Sequence, residues 1–177
     1  MKLLILRKLF FCILFLGIIV LGSWAVAQED TVLRLKEELI DLQNQSPLGF
    51  RTLVACSKVM EYGSYVPLPD NKVKAGKIIF FYFEPQNVFT RRADGKYEIW
   101  FTQDMIIFDV EKKSEIFKKE NALEIHYKST SPRLDIYGIN QLTLIDISTG
   151  KYLFKAIIND KLKGQTAETS WPFEVIK

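Results

Sequence analysis

The groups in this chain that could do chemistry are few and scattered. Its single histidine, His126, lies within Leu123-Glu-Ile-His-Tyr127, where alternation turns it away from Ile125 and Tyr127. A nucleophilic triad needs a base beside a serine on a special turn. No such motif accompanies His126, which reads as a strand-face histidine. Transition-metal sites need several converging His or Cys ligands, and the chain holds one histidine and two cysteines. Calcium needs only oxygens, and Asp94, Asp104, Asp109 and Asp160 stand near predicted strand ends. None of them belongs to a dense Asp-x-Asp-x-Asp-Gly loop. Glu84, Glu98 and Asp104 are the carboxylates available for glycoside hydrolysis, which requires a pair facing each other across a cleft; solvated strand faces and turns are the plainer reading. Glycine-rich phosphate loops are absent. The expectation is no catalytic residue, no metal and no cofactor.

One aromatic residue stands apart. On alternation Trp100 shares a strand face with Glu98 and Thr102, opposite Tyr97, Ile99 and Phe101. Exposed, it could stack on a sugar or anchor a partner; covered by an N-terminal helix, it is packing. Arg91-Arg92, before Asp94-Gly95, reads as the solvated tip of a hairpin.

The N-terminus bears on where such groups would act. Lys2, Arg7 and Lys8 precede an apolar run from Leu9 to Leu21, and Ala25-Val-Ala27 follows ahead of Gln28-Glu-Asp30. This is the layout of a secretory signal peptide cleaved after Ala27, with small residues at Ala25 and Ala27. The run is shorter than the ~20 residues that comfortably span a bilayer, and an uncleaved anchor is the competing reading. Cys12 follows Phe11, where lipid attachment wants a small residue. Cleavage removes three basic residues and no acidic one, so the 24 Lys and Arg fall to 21, equal to the 21 Asp and Glu. A neutral mature chain gives no nucleic-acid or membrane-surface signal. Cleavage also leaves Cys56 as the single cysteine, a small buried hydrophobe in the first strand or a reactive or intermolecular thiol.

The elements that must position these residues are legible from period. Over Asp30 to Asn44 the residues Val32, Leu35, Leu39 and Leu42 form one helical stripe. Asp30 or Thr31 could cap its start, and Ser46-Pro47-Leu-Gly49 ends it. Four turns are marginal alone, so the stripe either covers a sheet face of its own domain or pairs with another chain. Predicted strands follow over Phe50 to Ser57, Lys77 to Glu84, Lys96 to Thr102, Met105 to Asp109, Glu115 to Lys119, Leu123 to Lys128 and Gln141 to Asp146. A closing pair alternates Tyr152, Phe154, Ala156 and Ile158, then Ala167, Thr169, Trp171, Phe173 and Val175. Met60 to Lys74 reads as an irregular crossing and Lys128 to Asn140 as a long connection. The run Ile78 to Phe83 is apolar on both faces and needs a cover outside its sheet, for which the helix is the candidate.

The C-terminal third, with Asp146-x-x-x-Gly150-x-Tyr152, Ile158-x-Asp160 and Pro172-Phe173-x-Val175, resembles the last strands of bacterial immunoglobulin-like domains. That resemblance implies a glycine opening the penultimate strand and a tyrosine-corner bond to nearby backbone. A wider series is similar to an uncharacterised family of secreted β-sandwich proteins of planctomycete-type bacteria. It comprises Cys56-x-x-Val59, Tyr62-Gly-x-Tyr65, Gly76-x-x-Ile79, Tyr82-Phe-Glu84 with Asn87, Gly95-x-Tyr97, Ile107-x-Asp109, and Gly150-x-Tyr152 to Val175, over about Leu53 to Val175. The family brings no catalytic residues to carry over. The Lys112-Lys113 turn departs from it in lacking a glycine, and Thr130 to Asn140 lacks a charged cluster.

The expected architecture is all-β: a two-layer antiparallel immunoglobulin-like sandwich preceded by one amphipathic helix. The expected division is a signal peptide over 1–27, the helix over 28–47 and the sandwich over 48–177. The expected function is an exported, non-enzymatic module of the periplasm or cell envelope that binds another envelope protein or acts structurally. The alternative is a carbohydrate- or lipid-binding domain, with a lipocalin-like barrel as a variant. A small hydrolase is the third reading.

Overall fold

A computed structural model describes residues 29–145 and 147–177 of the chain. The expected signal peptide, its Ala25 and Ala27, and Asp146 lie outside them. Two compact units divide the chain, one ending at Leu39 and the other running Ile40–Lys177. Residues 29–45 are helical (α1). The helix is already under way at Glu29, so neither Asp30 nor Thr31 opens it. It ends at Ser46, whose N–H donates to the Gln43 carbonyl (3.1 Å) and whose hydroxyl donates to that of Leu42 (2.9 Å). No helix among the described residues is long and apolar enough to cross a membrane.

The second unit is built from strands β1 (Gly49–Glu61), β2 (Ser64–Pro67), β3 (Lys72–Lys74), β4 (Ile78–Gln86), β5 (Arg91–Ala93), β6 (Lys96–Asp109), β7 (Ser114–Ser129), β8 (Gly138–Thr143), β9 (Gly150–Asp160) and β10 (Thr166–Ile176). One sheet has the order β2-β1-β4-β8, and the other runs β3-β10-β9-β6 with β5 and β7 also paired to β6. All pairings are antiparallel except β3 with β10. The two sheets form an all-β sandwich rather than the closed barrel of the lipocalin-like variant.

The core lies where the inward residues of both sheets meet, because period-2 alternation gives each strand one apolar face. Leu53, Ala55, Ile79, Phe81, Phe83, Leu142 and Leu144 meet Ile99, Phe101, Met105, Ile107, Tyr152, Phe154, Ala156, Ile158, Phe173 and Val175, all buried. Phe81 stacks on Phe154 across the sheets with ring centroids 3.8 Å apart and 6° between planes, and Phe173 meets Phe81 edge-on at 5.5 Å. Such pairs contribute about 0.5–1.5 kcal/mol beyond area burial.

Several elements differ from the sequence reading. The predicted strands Lys96 to Thr102 and Met105 to Asp109 are one strand, β6, and those of Glu115 to Lys119 and Leu123 to Lys128 are one strand, β7. What looked like turns are Gln103-Asp104, which stays in the ladder, and Glu120 to Ala122, which bulges opposite Asp104. Asp104 holds that bulge, accepting the Asn121 N–H at 2.7 Å and the Asn159 amide at 3.1 Å. Asn121 takes a positive φ there, which asparagine tolerates better than most residues. The stretch Met60 to Lys74 is not irregular throughout, since it holds β2, a 3-10 turn over Pro69–Asn71 and β3. The strand expected from Gln141 to Asp146 instead spans Gly138–Thr143.

The outer face of β4 has a cover from within the second unit. Tyr82 points out of the sheet and is fully buried. It packs between Tyr65 of β2 (4.6 Å) and Tyr137 of the β7–β8 connection (5.7 Å), and its hydroxyl accepts the Gly63 N–H at 2.8 Å. Sequence reasoning assigned this job to the helix; the β1–β2 turn and the connection before β8 do it locally.

Candidate functional site

The ionisable and aromatic groups singled out above converge most densely on the outer face of β5, β6 and β7. Register explains the gathering: Arg91 of β5 and Lys128 of β7 flank Glu98, and His126 sits directly across from Trp100. Glu98 is a buried carboxylate. One of its oxygens accepts the Arg91 guanidinium, with Nε at 2.9 Å. The other faces His126 Nε2 at 2.7 Å and Lys128 Nζ at 3.2 Å. The His126 and Arg91 hydrogen bonds, with that of Lys128, pull the Glu98 carboxyl down from its ordinary 4.5 to about 2. A carboxylate so held stays ionised through the physiological range and is a poor general acid.

Trp100 lies on the face shared with Glu98 and Thr102, as alternation implies. Its ring stacks on His126 with centroids 4.7 Å apart and 19° between planes, and its indole N–H donates to Glu124 at 2.8 Å. One ring face and the N–H are therefore engaged, and the residue as a whole is half-buried. His126 is the strand-face histidine expected, with partners that the sequence did not name. Its ring is wedged between the Glu98 carboxylate and the Trp100 indole.

Arg91 and Arg92 are not the solvated tip of a hairpin; they form β5. The tip is Asp94-Gly95, both at positive φ, the two-residue loop that matches strand twist. Arg92 pairs with Asp41 in the last part of α1. Asn44, three residues on, clamps Thr90 by donating to its carbonyl (2.9 Å) and accepting its N–H (2.8 Å).

The other candidate carboxylates are placed apart, each with its own partners. Glu84 lies on the opposite sheet, accepting the Tyr82 hydroxyl at 2.7 Å with Arg51 at 3.8 Å. Asp160 accepts three backbone N–H groups, from Phe89 (2.8 Å), Leu162 and Lys163 (2.9 Å each). Asp109 accepts those of Glu111 and Lys112, and the Lys112 N–H is the chief reason its carboxyl lies below the ordinary range. Asp109, and Asp160 through Leu162 and Lys163, thus close turns on their own backbone. Among the described residues no three or more His, Cys, Asp or Glu side chains gather as metal ligands. Cys56 is buried and free on β1, and burial pushes its thiol up to about 11, which suppresses the reactive thiolate.

The tyrosine cluster over β4 escaped the sequence reading. Tyr62, Tyr137, Tyr82 and Tyr65 form a chain of ring contacts, and Arg51 donates to the Tyr62 hydroxyl at 2.9 Å. The signal lay in Tyr62-Gly-Ser-Tyr65, though only the β1–β2 pairing shows that it folds back over β4.

The described fold is thus a two-sheet, mostly antiparallel β-sandwich preceded by a helical segment. No family model matches the chain, and no curated protein does. Among solved structures, one that it is similar to is the superoxide reductase neelaredoxin from Ignicoccus hospitalis, at 12% identity and a TM-score of 0.36, covering 62% of this chain and 77% of that one.

Proposed function

We propose that this chain is an exported, non-enzymatic module of immunoglobulin-like type that serves the cell envelope as a protein-binding or structural accessory. The observation that carries the binding role is the α1 stripe. Val32, Leu35, Leu39 and Leu42 recur at heptad-like spacing and are each between 48% and 63% exposed, the pattern of a helix side that another chain can cover. The immunoglobulin-like type draws support from the corner at the start of β9, where the Tyr152 hydroxyl donates to the Ser148 carbonyl at 2.8 Å. Export draws support from the basic start, apolar run and Ala25-Val-Ala27. A non-enzymatic role fits the way the candidate acids close turns and neutralise cations.

Cell fractionation with crosslinking in the periplasmic fraction tests it. The expected result is a periplasmic or secreted protein, processed after Ala27, whose crosslink to a partner is lost in Leu35→Asp/Leu42→Asp. A cytoplasmic protein with its first residues intact would overturn the reading.

A further inference from the structure

The side of the sandwich bounded by β7 and β8 is closed at one end and open at the other. At the closed end Gly138 of β8 sits against Phe83 and Leu123. At the open end Phe117, opposite the fully buried Ile107 and hence on the inner face of its sheet, is 41% exposed. An inward-facing aromatic side chain in a sandwich normally meets the other sheet. Here it meets a slot of about 420 Å³ lined by Ile107, Ile116, Phe117, Leu142, Ile145 and Ile147, with the Thr143 and Ser148 side chains and Tyr152 beside them. The slot reaches the core through Ile107, Leu142 and Tyr152, all buried. Its volume falls in the range of small-molecule sites. The charged group among its described lining residues is Lys112, in the β6–β7 turn and 3.1 Å from Asp109.

We infer that this slot binds one acyl chain of an anionic amphiphile, with the chain between Phe117 and Leu142 and the head beside Lys112. The walls fix the class: six aliphatic or aromatic side chains favour a hydrocarbon, and the exposed Lys112 ammonium at the mouth, one of whose three N–H donors goes to Asp109, has donors left for a single negative head. Asp109 raises the Lys112 pKa and so keeps that cation charged. A sugar would leave its hydroxyls facing Ile116, Phe117 and Ile145 without partners. A free fatty acid and a bilayer lipid share this chemistry. The inference goes beyond the accessory role and holds wherever the chain resides.

The test uses the purified chain, with whatever N-terminal processing it undergoes, and the fluorescent fatty acid dansyl-undecanoate. Saturable one-to-one binding, displaced by oleate, is expected. Phe117→Asp and Ile116→Asp alter half-exposed side chains and should weaken binding by at least about tenfold, with circular dichroism and melting temperature unchanged. Lys112→Gln should weaken oleate but leave oleyl alcohol as it was, a split that a merely structural lysine would not give. Cosedimentation with phosphatidylglycerol vesicles separates the sources: uptake that Phe117→Asp abolishes marks a bilayer lipid, and oleate binding without it marks a free acid. The inference falls if the probe does not saturate, if Phe117→Asp binds as the parent does, or if an apolar peptide displaces the probe where oleate fails. Because export plays no part in this measurement, its failure leaves the envelope reading standing, and the reverse holds too.

Discussion

Phe83 and Gly138 face each other across the β4–β8 ladder, and the Phe83 ring occupies the space that any larger residue at position 138 would need. A Cβ there would also stand 2.7 Å from Leu123 Cδ2. Gly138 is needed for room, not for backbone freedom. Gly138→Ala is therefore expected to overpack the join between the two sheets and cost about 1–3 kcal/mol, read as a lower urea midpoint with unchanged slope. A variant as stable as the parent would mean that β4, β7 and β8 can part without loss.

Glu98 sets a pH dependence. Its carboxyl falls from 4.5 to about 2 because of His126, Arg91 and Lys128, so the folded state favours its ionised form. A group with a depressed folded pKa contributes stability above its unfolded pKa and loses it as pH falls through the folded value. The contribution should be complete above about pH 4.5 and vanish toward pH 2. Urea midpoints across that window should fall less steeply in Glu98→Gln than in the parent. Parallel curves would refute the assignment.

Tyr152 donates to the Ser148 carbonyl at the start of β9. Tyr152→Phe keeps the ring against Phe173, 5.5 Å away, and removes only the hydroxyl. The expected loss is about 0.5–1.5 kcal/mol, measured by thermal or urea unfolding. A neutral result would show that this corner is geometry without energetic weight.

Cys56 is expected to be inert in the native protein. Burial pushes its thiol up to about 11, and the thiolate is the reactive form. Labelling by a thiol reagent at pH 8, located at Cys56 by mass spectrometry, should follow the rate of opening and accelerate sharply in denaturant. Fast labelling of the native chain would contradict its buried place on β1.

Strand identity was legible wherever one face meets the core and the other meets water. Tyr152, Phe154, Ala156 and Ile158 are buried as alternation implies, as are Phe173 and Val175. Polarity misled where a polar side chain is buried with a partner. Gln103 is fully buried and accepts the Asn140 amide at 2.8 Å, yet beside Asp104 it looks like the end of a strand. Strands of three or four residues, such as β3 and β5, show too few alternations to register a period. The cluster around Glu98 depended on hairpin register, which no single strand encodes. The slot beside Phe117 arises from where two sheet edges part, a relation between strands far apart in sequence.

The bulge at Glu120 to Ala122 has a consequence for how the folded chain meets its own kind. β7 is sixteen residues long and, among the described strands, ladders with β6 alone, so its other side is a sheet edge of the kind on which β-aggregates grow. Asp104 bends that edge midway, and Lys118 and Lys119 stand just before the bend. An incoming strand finds two short, misaligned stretches, Ser114 to Lys119 and Leu123 to Ser129, instead of one long flat one. A half-buried carboxylate in the neighbouring strand thus acts as a guard against amyloid-like stacking, and its loss should surface first as poor solubility.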